Sequence, residues 1–210
     1  MTKKTTLGEF RKKLPELLRN MHIQLNPKTS QKTHIKNTEK NFWYFFRNYL
    51  THYAHQKSPQ FHKEIINLLE EKHPYIAIAA PRGFSKSTLV SFAYVLWNAI
   101  FSKKHFILII SSTEDLATDL VQSILYEFQD NKPLKQDFCI EIKKVSQNDI
   151  IIGNTRILAR GRQQSLRGFR YREHRPDLII LDDIEKDIEA LSPIIFKNHW
   201  ILFKEGLFLP

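Results

Sequence analysis

The sequence predicts an α/β fold with a mainly parallel sheet and an N-terminal helical extension. Two observations carry that prediction. From residue 74 onward, short apolar runs alternate with longer amphipathic segments, the rhythm of strand–helix–strand units. The runs are apolar throughout instead of alternating with polar residues, which marks strands buried on both faces. A length of 210 residues, 42% of them apolar, suits one sizeable domain with a small appendage.

Residues 1–40 read as a basic arm and linker, and residues 41–210 as the domain. A short helix is expected over Leu7–Met21, followed by a polar linker up to residue 41. An aromatic block, Phe42 to Phe46, leads to a helix starting at Ser58-Pro59, with Phe61, Ile65, Leu68 and Leu69 at helical spacing. Tyr75–Ala79 reads as a buried strand and Ser87–Phe101 as an unusually apolar helix. Phe106–Ser111 is a second strand. Leu116–Phe128 is a helix, with Leu116, Leu120, Val121, Ile124, Leu125 and Phe128 on one side. Ile150–Ile152 and Arg156–Ala159 flank Gly153-Asn154, a hairpin signal. Leu178–Leu181 is a further buried strand, and there are no internal repeats.

A single cysteine, Cys139, excludes an internal disulfide and fits a reducing compartment. The N-terminus lacks the apolar core of a signal peptide, and no apolar run reaches the roughly 20 residues that cross a bilayer. These features predict a cytoplasmic protein without a membrane partner. The net charge of +10 is uneven: residues 1–75 hold 14 Lys/Arg against 6 Asp/Glu, and residues 76–210 hold 18 against 16. Arg156, Arg160, Arg162, Arg167, Arg170, Arg172 and Arg175 share their stretch with one acid, Glu173. Such a distribution suits a polyanionic partner, most simply nucleic acid.

Between the run at 75–79 and the apolar helix lies Ala80-Pro81-Arg82-Gly83-Phe84-Ser85-Lys86-Ser87-Thr88. A phosphate-binding loop needs inward backbone N–H groups, a helix N-terminus behind them, a lysine for the terminal phosphates and a hydroxyl for Mg²⁺. Lys86 and Ser87 stand at the right end of that pattern. Its two glycines are replaced by Ala79 and Ser85, while Gly83 sits inside the loop. The second motif is Asp182-Asp183, two carboxylates at the C-terminal end of an apolar strand, where open α/β sheets bind ligands. An aspartate there can hold Mg²⁺, and a neighbouring acid can polarise water.

Together, the 80–88 loop, the strand ending in Ser111-Ser112-Thr113 and the stretch from Ala159 to Asp187 resemble the ATPase domain of phage terminase large subunits. The resemblance spans about residues 40–205, including the aromatic segment before the loop. It implies a RecA-like P-loop NTPase that binds ATP and Mg²⁺ and drives double-stranded DNA into a procapsid. By position, Arg82, Gly83, Phe84, Ser85, Lys86, Ser87 and Thr88 would hold the nucleotide, with Lys86 on the β- and γ-phosphates. Arg82 would stabilise charge on the γ-phosphate, and Ser87 and Asp182 would hold Mg²⁺. Asp183 stands where the family often has a catalytic glutamate, and Glu185 is the alternative acid. Gln60 or Gln56 would contact adenine. Arg162, Arg167 and Arg170 would reach DNA, a neighbouring subunit's nucleotide or a phosphate of their own.

The same resemblance implies a ring of subunits, a small terminase subunit and a capsid portal as partners, in a bacterial host cell. It also leads to the expectation that the chain stops before the coupling strand and the nuclease domain. Alternatives are another nucleic-acid-stimulated P-loop translocase, or an inactive remnant that only binds nucleotide or DNA.

Overall fold

A computed structural model describes residues 27–54, 58–71 and 73–184. The helix expected over Leu7–Met21, Gln56 and Glu185 lie outside them. The chain divides into two compact units, Met1–Asn41 and Phe42–Pro210. In the first, α1 spans Pro27–Lys40, where a linker was expected. Pro27 is pre-set for a first helical turn, no glycine interrupts the segment, and Lys40 suits the negative end of the helix. Its polarity hid it, because it offers no apolar stripe.

The second unit is α/β. Helices α2 (Phe42–Tyr49), α3 (Gln60–Glu70), a π-type helix over Ser87–Tyr94, and α4 (Val95–Ile100) precede the first strand. Then follow β1 (Phe106–Ser111), α5 (Glu114–Asp130), α6 (Lys132–Asp137), β2 (Ile142–Val145), β3 (Asp149–Ile152), β4 (Thr155–Gly161) and β5 (Leu178–Leu181). The sheet order is β2-β3-β4-β1-β5. Strand β1 lies parallel to both β4 and β5, whereas β3 runs antiparallel to β2 and β4. The sheet is therefore mixed, parallel from β4 through β1 to the edge strand β5 and antiparallel on the β2–β3 side. The Gly153-Asn154 turn forms the β3–β4 hairpin, with Gly153 at φ +57°, a conformation glycine adopts without strain.

Tyr75–Ala79 does not join the sheet. Tyr75 is 70% exposed and the segment pairs with no described strand. An apolar run becomes a strand only where a partner edge supplies its hydrogen bonds. Strand β2 is the converse case: Lys143 and Lys144 make it look unlike a strand, yet it closes the sheet edge with solvated side chains.

Helix α5 begins at Thr113, whose hydroxyl accepts from Leu116 N at 3.3 Å, and Glu114 and Asp115 fill its first turn. Its buried face is Ala117, Val121, Ile124, Leu125 and Phe128, while Leu116 points to solvent. Each of the larger side chains, from Val121 to Phe128, contributes about 1.5–3 kcal/mol on leaving water. This face joins Ile107, Ile109, Ile157, Trp97, Phe42 and Phe45 in the main core.

The opposite face of β1 carries Phe106, Leu108 and Ile110, which pack with Leu158 and Leu166 in a second, smaller cluster. Phe169, Tyr171, Ile179 and Ile184 lie against it. Among the described residues, the arginine-rich stretch covers this face, and no described helix does. Among those residues, too, no helix is long and apolar enough to cross a membrane.

Candidate functional site

The 80–88 loop turns at Arg82-Gly83 and enters the helix at Lys86. Gly83 has φ +82°, which disfavours any residue with a Cβ. Ser85 has φ +53°, so this serine adopts the left-handed backbone for which glycine is the usual choice. The helix then winds with π-type turns from Ser87 to Tyr94, a rare geometry that recurs at functional sites.

Lys86 folds back over the loop. Its Nζ donates to the Ala80 carbonyl and, at 2.9 Å, to the Pro81 carbonyl. Ser87 points to the sheet, and its Oγ donates to Asp182 Oδ1 at 2.9 Å across 95 residues of sequence. Asp182 is positioned by β5: its N–H donates to the Ile110 carbonyl at 2.9 Å, extending the β1–β5 ladder one step past Leu181. The loop and the acidic strand end therefore meet at the C-terminal edge of the parallel strands.

Two oxygens bound side by side to an octahedral Mg²⁺ at 2.0–2.1 Å stand about 2.9 Å apart. The Ser87–Asp182 separation matches that spacing, and both are hard oxygen donors. Among the described residues no cluster of three His, Cys, Asp or Glu side chains could hold a metal. The pair therefore fits a cation that takes most of its ligands from phosphate and water, as Mg²⁺ does. Asp183 is exposed, at φ +48°. Arg82 is exposed on the loop and Thr88 is half-buried.

A cavity of ≈ 490 Å³ opens beside the loop, lined among others by Phe46, Tyr53, Phe61, His62, Phe84 and Thr88. The His62 Nε2 sits 2.9 Å from the Phe84 carbonyl, which accepts when that nitrogen carries the proton. The Phe61 and Phe84 rings pack at 5.4 Å. Gln60 is exposed at the first turn of α3 and does not line the cavity, although Pro59, Phe61 and His62 around it do. Sequence reasoning assigned Phe61 to packing and missed His62. Their nearness to Gln60 was the available signal.

The arginine stretch separates into distinct roles. Arg156 pairs with Asp149 through Nε and Nη2 at 3.0 and 2.9 Å, and its guanidinium lies over the Phe106 ring. Burial pushes the Asp149 carboxyl up, but hydrogen bonds from Arg156 and Lys144 outweigh it and hold the group below its usual range. Arg160 reaches Glu114 Oε1 at 3.4 Å. Glu114 also accepts from Asn148 and Gln164 at 2.6 Å each, and these bonds, Asn148's first, lower its carboxyl. Arg162 is only 5% exposed, so it is not on the surface where a DNA or subunit contact was expected. Arg167 and Arg170 are exposed. The acids that neutralise Arg156 and Arg160 come from outside the stretch, which explains why the local sequence made it look unpaired.

No protein-family model matches this chain, and no curated protein sequence matches it either.

Proposed function

We propose that the chain is the ATP-binding domain of a RecA-like P-loop NTPase, of the kind that drives double-stranded DNA into a phage procapsid. The observation that carries the nucleotide reading is the 2.9 Å bond between Ser87 and Asp182, which unites the loop and the acidic strand end. Supporting it are the left-handed backbone at Gly83 and Ser85, the lysine on the loop and the neighbouring aromatic cavity. In this reading Lys86 and Arg82 hold the phosphates, Ser87 and Asp182 hold Mg²⁺, and Asp183 or Glu185 orients water. Double-stranded DNA, a small terminase subunit and a capsid portal are the proposed partners of a ring of such subunits.

The test is nucleotide affinity with and without Mg²⁺. Ser87→Ala and Asp182→Asn should each abolish the gain in ATP affinity that Mg²⁺ gives the parent, leaving Mg²⁺-free affinity within about twofold. Asp183→Asn should leave binding intact and lower turnover. An undiminished Mg²⁺ effect in both first variants would remove the basis for the assignment.

A further inference from the structure

The far end of the parallel strands carries a second charged feature. The arginine stretch leaves the C-terminal end of β4, crosses the sheet on Leu166, Phe169 and Tyr171, and reaches the N-terminal ends of β1 and β5. Three contacts fix it there. Arg156 Nη1 donates to the Arg170 carbonyl at 2.9 Å, the His105 and His174 rings stack at 4.0 Å, and Asp177 accepts from the N–H groups of His105 and Phe106. Tyr171 and His174 exchange backbone bonds of 2.8 and 2.9 Å, holding Arg172 and Glu173 at the tip of a tight turn. The six residues of β1 set this end roughly 16 Å from the loop end.

Arg170, Arg172 and Arg175 are exposed here. Among the described residues, no hydrogen bond or ion pair holds the Arg170 or Arg175 guanidinium, and the Arg172 guanidinium lies over the Tyr171 ring and interacts with the neighbouring Glu173 carboxylate. Lys104 adjoins them, its Nζ donating to the Asp177 carbonyl at 3.1 Å. Two acids adjoin them: Glu173 at the turn, and Asp177, whose carboxylate keeps its charge while accepting from the backbone N–H groups of His105 and Phe106. Lys104, Arg170, Arg172 and Arg175 outnumber these two carboxylates, so the patch is net cationic, unlike the start of the stretch, where Arg156 and Arg160 are paired.

We infer that Arg170, Arg172 and Arg175 form a docking surface for the phosphate backbone of duplex nucleic acid. Guanidinium forks match phosphate oxygens in pairs. No large exposed apolar residue lies at positions 103–105 or 170–177. A protein partner would need an apolar centre to its interface, which a duplex does not. The partly exposed His105–His174 stack and Tyr171 are the rings on which an unpaired base could stack, so the comparison with single strands belongs to the test. The surface rests on charge and geometry independent of the nucleotide site, and it supplies a location for the DNA partner proposed above.

The experiment measures binding of the full chain to a short labelled duplex over a range of salt. In Arg170→Gln/Arg172→Gln/Arg175→Gln, the slope of log K against log salt should fall by about 2 to 3, close to 0.9 per lost phosphate contact. Removing three charges elsewhere, in Lys32→Gln/Lys36→Gln/Lys40→Gln, should change it less. ATP affinity should be unaltered in the arginine variant, and the duplex slope unaltered in Lys86→Ala, so the two sites fail separately. The corresponding Arg→Lys triple variant controls for folding and should keep most of the slope. An unchanged slope, equal loss in the lysine control, or tighter binding of single strands or acidic peptides than of duplex would overturn the inference.

Discussion

Replacing Lys86 by alanine isolates one charge whose surroundings are visible. An ammonium about 4 Å from a phosphate charge contributes about 4 kcal/mol at an effective dielectric near 20. To reach a nucleotide, the lysine must first leave the Ala80 and Pro81 carbonyls. The Pro81 bond is exposed, so water replaces it at little cost. The Ala80 bond is partly buried, and giving up such a charge-assisted bond costs about 1.5–3 kcal/mol. The difference is about 1–2.5 kcal/mol, so Lys86→Ala should weaken ATP binding roughly five- to seventyfold. Isothermal titration of the full chain with Mg·ATP reads this directly, with thermal unfolding as a check on the fold. An affinity within twofold of the parent would refute both the loop assignment and the reasoning about its resting contacts.

The other predictions concern the scaffold. A Cβ on Gly161 would stand 2.8 Å from Glu114 N and 3.3 Å from the Thr113 carbonyl carbon, both backbone atoms at the start of α5. Gly161→Ala should cost about 1–3 kcal/mol, lowering the melting midpoint by about 2–4 °C per kcal/mol; an unshifted midpoint would show that β4 and α5 can separate freely. Asp149 has its carboxyl pKa lowered in the folded state, so its stabilising effect is complete above the unfolded value and is lost as pH falls through the folded one. Asp149→Asn should lose about 1–3 kcal/mol near neutral pH. Denaturant melts should also show a shallower decline in acid than the parent's, and parallel curves would discount the Asp149 charge.

Much of this arrangement is legible from residue patterns, for identifiable reasons. Phe106–Ser111 and Leu178–Leu181 are strands at their expected bounds; the first is buried throughout, as its apolar run implies, whereas the second lies at the sheet edge with only Ile180 buried and Leu181 exposed. The β3–β4 hairpin follows from Gly153-Asn154 between apolar runs. The same logic fails for Tyr75–Ala79, since periodicity reports burial potential and says nothing about an available partner edge. The lysines of β2 and the wholly polar α1 are illegible for the opposite reason: each element forms without an apolar signature. At the candidate site, the Ser87–Asp182 approach was readable from the two motifs. The His62 contact with Phe84 was not, because a lone histidine in a helix carries no signal of what lies across from it.

The sheet is guarded unequally on its two sides. Among the described residues, the larger core buries many side chains behind several helices, whereas the smaller cluster has five buried residues beneath an irregular strap. Local opening costs free energy in proportion to the apolar surface released, so the strap side is the weaker door. Behind it lie Phe106, Leu108, Ile110 and Leu158, a continuous greasy stripe of the kind that seeds clumping between molecules. The far end of that strap carries the exposed arginines. Any ligand that grips them only while the strap is seated shifts the balance toward the closed form by mass action. A bound polyanion would then also shield this apolar stripe from contact with other molecules.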